Sequence, residues 1–334
     1  MTSFPVSDDA PTIGDIEAAA LTLNGKAVWT PLLESPLLNQ RLGGRLLVKP
    51  ECLQRTGSFK FRGAFNRISN LSKQETAGGV IAYSSGNHAQ GVAAAAGVLG
   101  LPAVIVMPED APAIKIRNTR ALGAEVVTYD RFGEDREAIA DRIAAERGAA
   151  IVRPYDDPYI IAGQGTVGLE IAEDLEKLGV MADAVLAPCG GGGLISGTAT
   201  ALAAKCPDTP VYAVEPAEFD DTRRSLESGE RQGNADGLSS ICDALLSKMP
   251  GKLTFPINRA LLAGAFGISD EQALAAMAVA FADLKLVVEP GGAVALAACL
   301  NGMVPLQGQC VVAVLSGGNV DPAMFRRALE ISLA

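Results

Sequence analysis

Short apolar runs alternate with longer helix-like stretches along most of this chain, and that alternation most restricts the fold it can adopt. A first series of runs is Val80 to Tyr83, Ala103 to Met107, Glu125 to Thr128 and Ala150 to Val152. A second is Ala184 to Ala187, Val211 to Val214, Leu286 to Val288 and Cys310 to Leu315. Stretches such as Asn87 to Leu99 and Asp135 to Arg147 read as helices between them. Crossovers of this length join neighbouring parallel strands. Strands covered by helices on both faces read as unbroken apolar runs, as these do. Ser269 with Gln272 forms a capping box for the helix before Leu286. The pattern predicts an α/β fold of two open, mostly parallel, twisted sheets with helices on both faces. One unit is inserted in the other: residues 1–52 and 154–334 form the large unit and 53–153 the small one. A composition of 49% hydrophobic and 5% aromatic residues, with 36 glycines, agrees with alanine-rich helices and short buried strands.

A formal charge of -10 argues against a nucleic-acid or anionic-membrane partner, because phosphate binding needs clustered cations. Any anionic ligand must then be held by a local device. The six cysteines, at 52, 189, 206, 242, 299 and 310, form no C-x-x-C pair and read as reduced, buried thiols. Residues 1 to 30 lack a basic start joined to an apolar core, and no run reaches about 18 uninterrupted apolar residues. A cytoplasmic protein is expected, with Met1 to Pro11 as a loose N-terminal arm.

Open parallel sheets bind ligands beyond the carboxyl ends of their strands, so the turns there are where chemistry is sought. After Ala187 comes Pro188-Cys189-Gly190-Gly191-Gly192-Gly193, followed by a helix-like stretch. Glycines without Cβ let backbone N–H groups converge on an anion, and a helix start adds more donors, so this turn reads as a phosphate cup. A close-packed turn that needs glycine only for steric reasons is the other reading. Ser84-Ser85-Gly86-Asn87-His88 follows the strand ending at Tyr83 and could hold a carboxylate through hydroxyl and N–H groups; the serines could equally be plain helix caps. His88 is the one histidine, which rules out a multi-histidine metal site. Lys60 stands in a Ser/Gly/Phe-rich stretch entering a helix, beside Phe59 and near Arg55 and Arg62. It is either a surface lysine or one whose pKa is lowered by burial and neighbouring cations for imine chemistry. Ser316-Gly317-Gly318-Asn319 ends a strongly apolar strand, either as a tight turn or as an edge that meets a flat ligand.

Together these segments resemble the fold-type II pyridoxal-5′-phosphate (PLP) enzymes of the serine/threonine dehydratase and serine racemase family. The lysine motif S-F-K-x-R-G stands as Ser58 to Gly63, S-S-G-N-H-x-Q as Ser84 to Gln90, and the glycine turn and S-G-G-N follow in family order. The resemblance spans nearly the whole chain and implies a cofactor bound between the two units. It implies that Lys60 holds PLP as a Schiff base, Gly190, Gly191, Gly192 and Gly193 bind its phosphate, Asn87 meets the 3′-oxygen, and Phe59 packs by the ring. Ser316 would face the pyridine nitrogen; a neutral partner there favours prompt loss of a β-substituent. Ser84, Ser85, Asn87 and His88 would hold the substrate carboxylate, and Ser85 matches the second-face base of racemases. The implied reaction is β-elimination of threonine, serine or 3-hydroxyaspartate to a keto or imino acid and ammonia, with racemisation as the alternative.

By position, Arg136 and Ser240 match residues near the distal end of the substrate, where an arginine pairs bidentately with a second carboxylate. Glu215, Phe219 and Asp221 resemble the divalent-cation site of the racemase branch, and oxygen ligands suit Mg²⁺ or Ca²⁺; a solvated acidic loop is the other reading. The family also implies a homodimer. The chain ends at Ala334 without room for the regulatory domain of biosynthetic threonine deaminases, so isoleucine feedback is not expected. A nicotinamide dehydrogenase is disfavoured, because Gly190 to Gly193 fails G-x-G-x-x-G and Lys60 would be left unexplained. A non-enzymatic sensor on the same fold would not need the lysine and the carboxylate turn together.

Overall fold

The computed structural model describes residues 9–331 apart from Pro112 and Phe132, so the expected N-terminal arm lies outside the described residues as far as residue 8. Nine strands are described: β1 Arg45–Pro50, β2 Val80–Tyr83, β3 Ala103–Pro108, β4 Glu125–Tyr129, β5 Ala150–Ile151, β6 Ala184–Pro188, β7 Val211–Pro216, β8 Gly264–Ile268 and β9 Cys310–Leu315. They make two sheets, β1-β9-β6-β7-β8 and β4-β3-β2-β5, and every pairing within each is parallel. The four-stranded sheet comes wholly from the sequence between β1 and β6.

The unbroken apolar runs are explained by cover on both faces. Along β9, Val311, Ala313 and Leu315 enter one core with the helices Asp270–Leu284 and Pro290–Leu300. Val312 and Val314 enter a second core with the helices Pro158–Leu178 and Gly193–Lys205. In the smaller sheet, Val80 and Ala82 pack toward the helices Lys60–Ser69 and Asn87–Leu99, while Ile81 and Tyr83 pack toward Arg136–Arg147. Successive strand side chains point to opposite faces, so a doubly covered strand has no polar face to show.

One expected strand is not a strand. Leu286 to Val288 is an extended connection outside both sheets, between the left-handed cap residue Lys285 and the helix starting at Pro290. Leu286 and Val288 are apolar because they fill the core, not because they pair. The sheet edge is instead β8, Gly264-Ala265-Phe266-Gly267-Ile268, whose two glycines hide the strand signal. The Ser269–Gln272 capping box forms as expected, and Asp135 caps the helix Arg136–Arg147. All six cysteines are free, with Cys52, Cys206 and Cys310 only part-buried. Among the described residues no helix is long and apolar enough to cross a membrane.

Strand order explains where a site can form. From β6 the chain moves outward through β7 to β8, then returns to the other side of β6 as β9; from β2 it moves through β3 to β4, then returns beside β2 as β5. Loops leaving the two strands at such a reversal diverge and open a crevice at their carboxyl ends. The turns after β6 and β9 begin at Cys189 and Ser316, and those after β2 and β5 at Ser84 and Val152. All four meet in one cleft.

Candidate active site

The cleft encloses about 340 Å³, within the range of small-molecule sites. From the four-stranded sheet it receives Ser84, Ser85, Gly86, Asn87 and His88; from the five-stranded sheet, Gly190 to Gly193 and Ser316. Phe59, Lys60 and Arg136 also line it. Every residue expected near the cofactor or substrate is therefore on its wall except Ser240, whose hydroxyl donates to Asp270 Oδ1 at 2.5 Å and accepts from Cys242 N at 3.1 Å. Ser240 is drawn off to cap the segment against the helix start at Asp270.

Lys60 is the first residue of the helix Lys60–Ser69. The preceding segment is stitched to the turn after β9: Phe59 N donates to Ser316 O at 3.1 Å, Gly318 N donates to Gly57 O at 2.9 Å, and Ser58 bridges to Gly317. Thr56 adopts a left-handed conformation (φ 62°), unusual for a β-branched residue, and Asn319 Nδ2 donates to its carbonyl at 2.7 Å. Strain of this kind costs on the order of 1–3 kcal/mol and persists where its surroundings enforce it. The lysine amine donates to Pro154 O at 2.8 Å and stands 5.2 Å from the centre of the Phe59 ring. Burial lowers its pKa to about 8. Arg55 and Arg62, expected beside the amine from the sequence, do not contribute. Arg55 lies over the Phe61 ring, and Arg62 is buried with its charge met by Glu51 and Glu170. Burial alone lowers the lysine.

The glycine turn is shaped by what surrounds it. A Cβ on Gly191 would overlap the Tyr155 ring. Gly192 has φ +95°, and a Cβ there would fall 2.7 Å from Thr254 Oγ1. Thr254 Oγ1 in turn donates to Gly191 O at 2.7 Å. Behind it, Asp156 accepts from Lys252 N at 3.0 Å and Leu253 N at 2.7 Å, which fixes the loop 251–254 beneath the turn. Glycine is thus required here by space and by conformation, and the turn still opens into the cleft just before the helix Gly193–Lys205. A glycine turn opening into the cleft at a helix start, a part-buried lysine of lowered pKa and polar groups on the opposite wall suit a flat, phosphate-bearing aldehyde such as PLP.

His88 Nε2 lies 2.9 Å from Val152 O, and burial followed by the Lys60 charge pushes its pKa down to about 3. It is a neutral wall residue bound to the strand end β5. Gly86 N donates to Ser84 Oγ at 3.2 Å, and Arg136 stacks its guanidinium 5.5 Å over Tyr83.

Glu215 is buried and accepts from Thr222 N and Arg223 N at 2.9 Å each, capping the helix Asp221–Ser228. Asp221 Oδ1 accepts from Asn234 Nδ2 at 2.7 Å, while its Oδ2 is buried without a hydrogen-bond partner. Burial, then mutual repulsion, raises Glu215 to about 8; burial raises Asp221 to about 6. Two crowded carboxylates with an oxygen left over are a donor set that a hard cation would relieve. Among the described residues no cluster of three or more His, Cys, Asp or Glu side chains is arranged for a metal. Thr222 also reaches Cys189 Sγ (3.3 Å), so the pair sits directly behind the glycine turn.

Sequence reasoning missed Tyr155, Arg153, Lys115, Asp243 and Glu289, all on the cleft wall. Arg153 and Tyr155 were findable as the continuation of β5 past its carboxyl end. Lys115 and Asp243, paired at 2.6 Å, join segments 128 residues apart, and no local pattern announces that.

Residues 24–317 match the family described as pyridoxal-phosphate dependent enzyme. The chain is 42% identical over 322 residues to the L-threo-3-hydroxyaspartate ammonia-lyase of Saccharomyces cerevisiae, covering 96% of this chain and 97% of that one. It is 41% identical to the L-threonine ammonia-lyase of Thermotoga maritima, covering 96% of this chain and 79% of that one. Its fold superposes on the crystal structure of a T.th. threonine deaminase with a TM-score of 0.87 at 46% identity, covering 93% of this chain and 99% of that one. For maize serine racemase the TM-score is 0.89 at 35% identity, covering 96% and 97%. A match across this much of the chain, with the cleft built as that chemistry requires, places it by descent: the chain belongs to the pyridoxal-phosphate dependent enzymes, in the fold-type II branch of these relatives.

Proposed function

We propose that the protein catalyses PLP-dependent β-elimination of a β-hydroxy amino acid, releasing a 2-keto acid and ammonia. The observation that carries this is the part-buried amine of Lys60, which lines the same cleft as the glycine turn and whose pKa is lowered to about 8. In this reading Lys60 carries the cofactor, Gly190 to Gly193 receive its phosphate, Phe59 and Asn87 border the ring, and Ser316 faces its nitrogen. Bound PLP supplies an electron sink that acidifies the substrate Cα–H.

The remaining work falls to the chain. Ser84 and Ser85 hold the α-carboxylate with the N–H groups of the turn that starts the helix Asn87–Leu99. Lys60 Nζ removes the α-proton, a role open to it because burial keeps its pKa near 8 and leaves part of it unprotonated at neutral pH. Loss of the β-hydroxyl as water, followed by tautomerisation and hydrolysis of the C=N bond, gives the keto acid and ammonia. His88, held neutral by burial, does not compete for that proton.

For the substrate, Arg136 favours a second carboxylate. It lines the cleft and has a flat cation–π seat on Tyr83 that leaves its donors free. The yeast and Pseudomonas relatives named for L-threo-3-hydroxyaspartate support the same choice. Keto-acid release should be measured over threonine, serine and 3-hydroxyaspartate. Arg136→Ala should raise KM for 3-hydroxyaspartate by about 10-fold or more, the loss of a charged hydrogen-bond pair, and change threonine little. Equal losses on both would remove Arg136 from this role, and no keto acid from any of the three would remove the elimination.

The Glu215, Asp221 and Phe219 segment is read as a divalent-cation site in which the cation neutralises two carboxylates and firms the loop behind the glycine turn. Chelation should then lower the thermal midpoint, and Mg²⁺ or Ca²⁺ should restore it. An unchanged midpoint would leave a capped acidic loop.

A further inference from the structure

We propose that Glu289 is a positioning residue of the active site: with Asn319, it fixes the Asn87 side-chain amide so that an N–H points at the bound cofactor. The inference rests on the reading that PLP occupies this cleft.

Glu289 stands at the N-cap of the helix Pro290–Leu300, where a carboxylate ordinarily accepts from the first helical N–H groups. It makes no such bond. Its buried carboxylate turns into the cleft and accepts from Asn87 Nδ2 at 2.6 Å. On the other side, Asn87 Oδ1 accepts from Asn319 Nδ2 at 2.7 Å, and the second hydrogen of Asn319 Nδ2 goes to Thr56 O at 2.7 Å. This closes the assignment. Asn319 presents only a donor to Asn87, and the Glu289 oxygen accepts. Turning the Asn87 amide over would set amino group against amino group and oxygen against carboxylate. One N–H of Asn87 Nδ2 remains, on a residue that lines the cleft.

The two pins come from the five-stranded sheet unit and Asn87 from the four-stranded one, so the donor is aimed by the wall opposite its own helix. The carboxylate also explains Gly317, where a Cβ would overlap Glu289 Oε1. Asp243 and Lys115 face Glu289 from the cleft mouth, with the Cys52 and Cys242 thiols nearby. Burial and then Asp243 raise its pKa to about 7, and the protonated acid keeps an accepting oxygen for Asn87.

The test uses the holoenzyme and reads the position of the cofactor absorption band and the PLP dissociation constant. Glu289→Leu and Asn87→Ala should move the band in the same direction, each weakening PLP about 10-fold. The double variant should be no worse than Asn87→Ala alone, because the two act as one unit. Glu289→Gln, which retains an accepting oxygen, should recover most of the affinity. An unchanged band and constant in Glu289→Leu, or strictly additive losses in the double variant, would overturn the proposal. Should Glu289→Leu not accumulate, Asn319→Leu removes the other pin and is read in the same way: the shift of Asn87→Ala supports the proposal, and a wild-type spectrum overturns it. Failure of the underlying PLP reading would show separately, as a wild-type protein with no borohydride-sensitive band.

Discussion

Lys60→Ala should lower keto-acid release by at least about 10³-fold while the protein stays folded. Removal of a positioned general base alone costs about 10²–10⁴-fold, and this lysine is read as the cofactor's point of attachment as well. The fold should tolerate the change, because the amine's one hydrogen bond is to Pro154 O and burial disfavours its charge. Loss of the yellow colour with an unchanged far-ultraviolet circular dichroism spectrum would be the matching signature. A variant retaining more than about a tenth of wild-type turnover would place the α-proton on another base.

The largest expected effect on stability lies two residues further on. Arg62 is fully buried between two carboxylates: Nε and one terminal nitrogen reach Glu51 at 2.8 Å each, and the terminal nitrogens reach Glu170 at 2.6 and 2.9 Å. Lys49, also buried, donates to Glu170 at 2.6 Å. Burial pushes the Glu51 carboxyl up, yet the Arg62 charge outweighs it and leaves Glu51 below its ordinary range. Arg62→Leu leaves Glu51 buried with the Thr30 hydroxyl and Glu170 with Lys49 as their remaining side-chain partners. Breaking a buried pair from one side costs about 3–5 kcal/mol. For a chain of this length that is a fall in thermal midpoint of about 4–7 °C, at an unfolding entropy of roughly 2.1 cal/mol/K per residue. Calorimetry reads it directly. Arg62→Lys should recover only part, since an ammonium cannot fork onto two carboxylates. A change below about 1 kcal/mol would mean that water reaches the network and screens it.

This network also ties the helix that begins at Lys60 to two other segments. Glu51 follows β1, Arg62 lies on the lysine's helix, and Glu170 lies on Pro158–Leu178. That long helix approaches so closely that a Cβ on Gly163 would fall 2.7 Å from the Gly63 Cα.

Much of this was legible in the sequence because it was local. Apolar runs covered on both faces, glycine turns and caps are set by neighbouring residues, and three of the four turns at the sheet reversals, those holding Gly190, Ser84 and Ser316, were identifiable as places for chemistry. What escaped depends on contacts between distant segments. Leu286 to Val288 looks like a strand since core filling and strand pairing demand the same side chains, and β8 is masked by Gly264 and Gly267. Arg62 read as a cation beside Lys60 until Glu170, 108 residues away, turned it into structure. Ser240 matched a family position, but its hydroxyl is taken by Asp270. Glu289 gave no signal because its side chain forgoes the local cap for a partner 202 residues away.

Every role proposed for the cleft depends on which lysine holds the cofactor. Borohydride reduction of the purified holoenzyme, followed by proteolysis and mass mapping, answers it in one measurement. A single phosphopyridoxyl group on the peptide containing Lys60 is expected. A label on another lysine, or none at all, would contradict it.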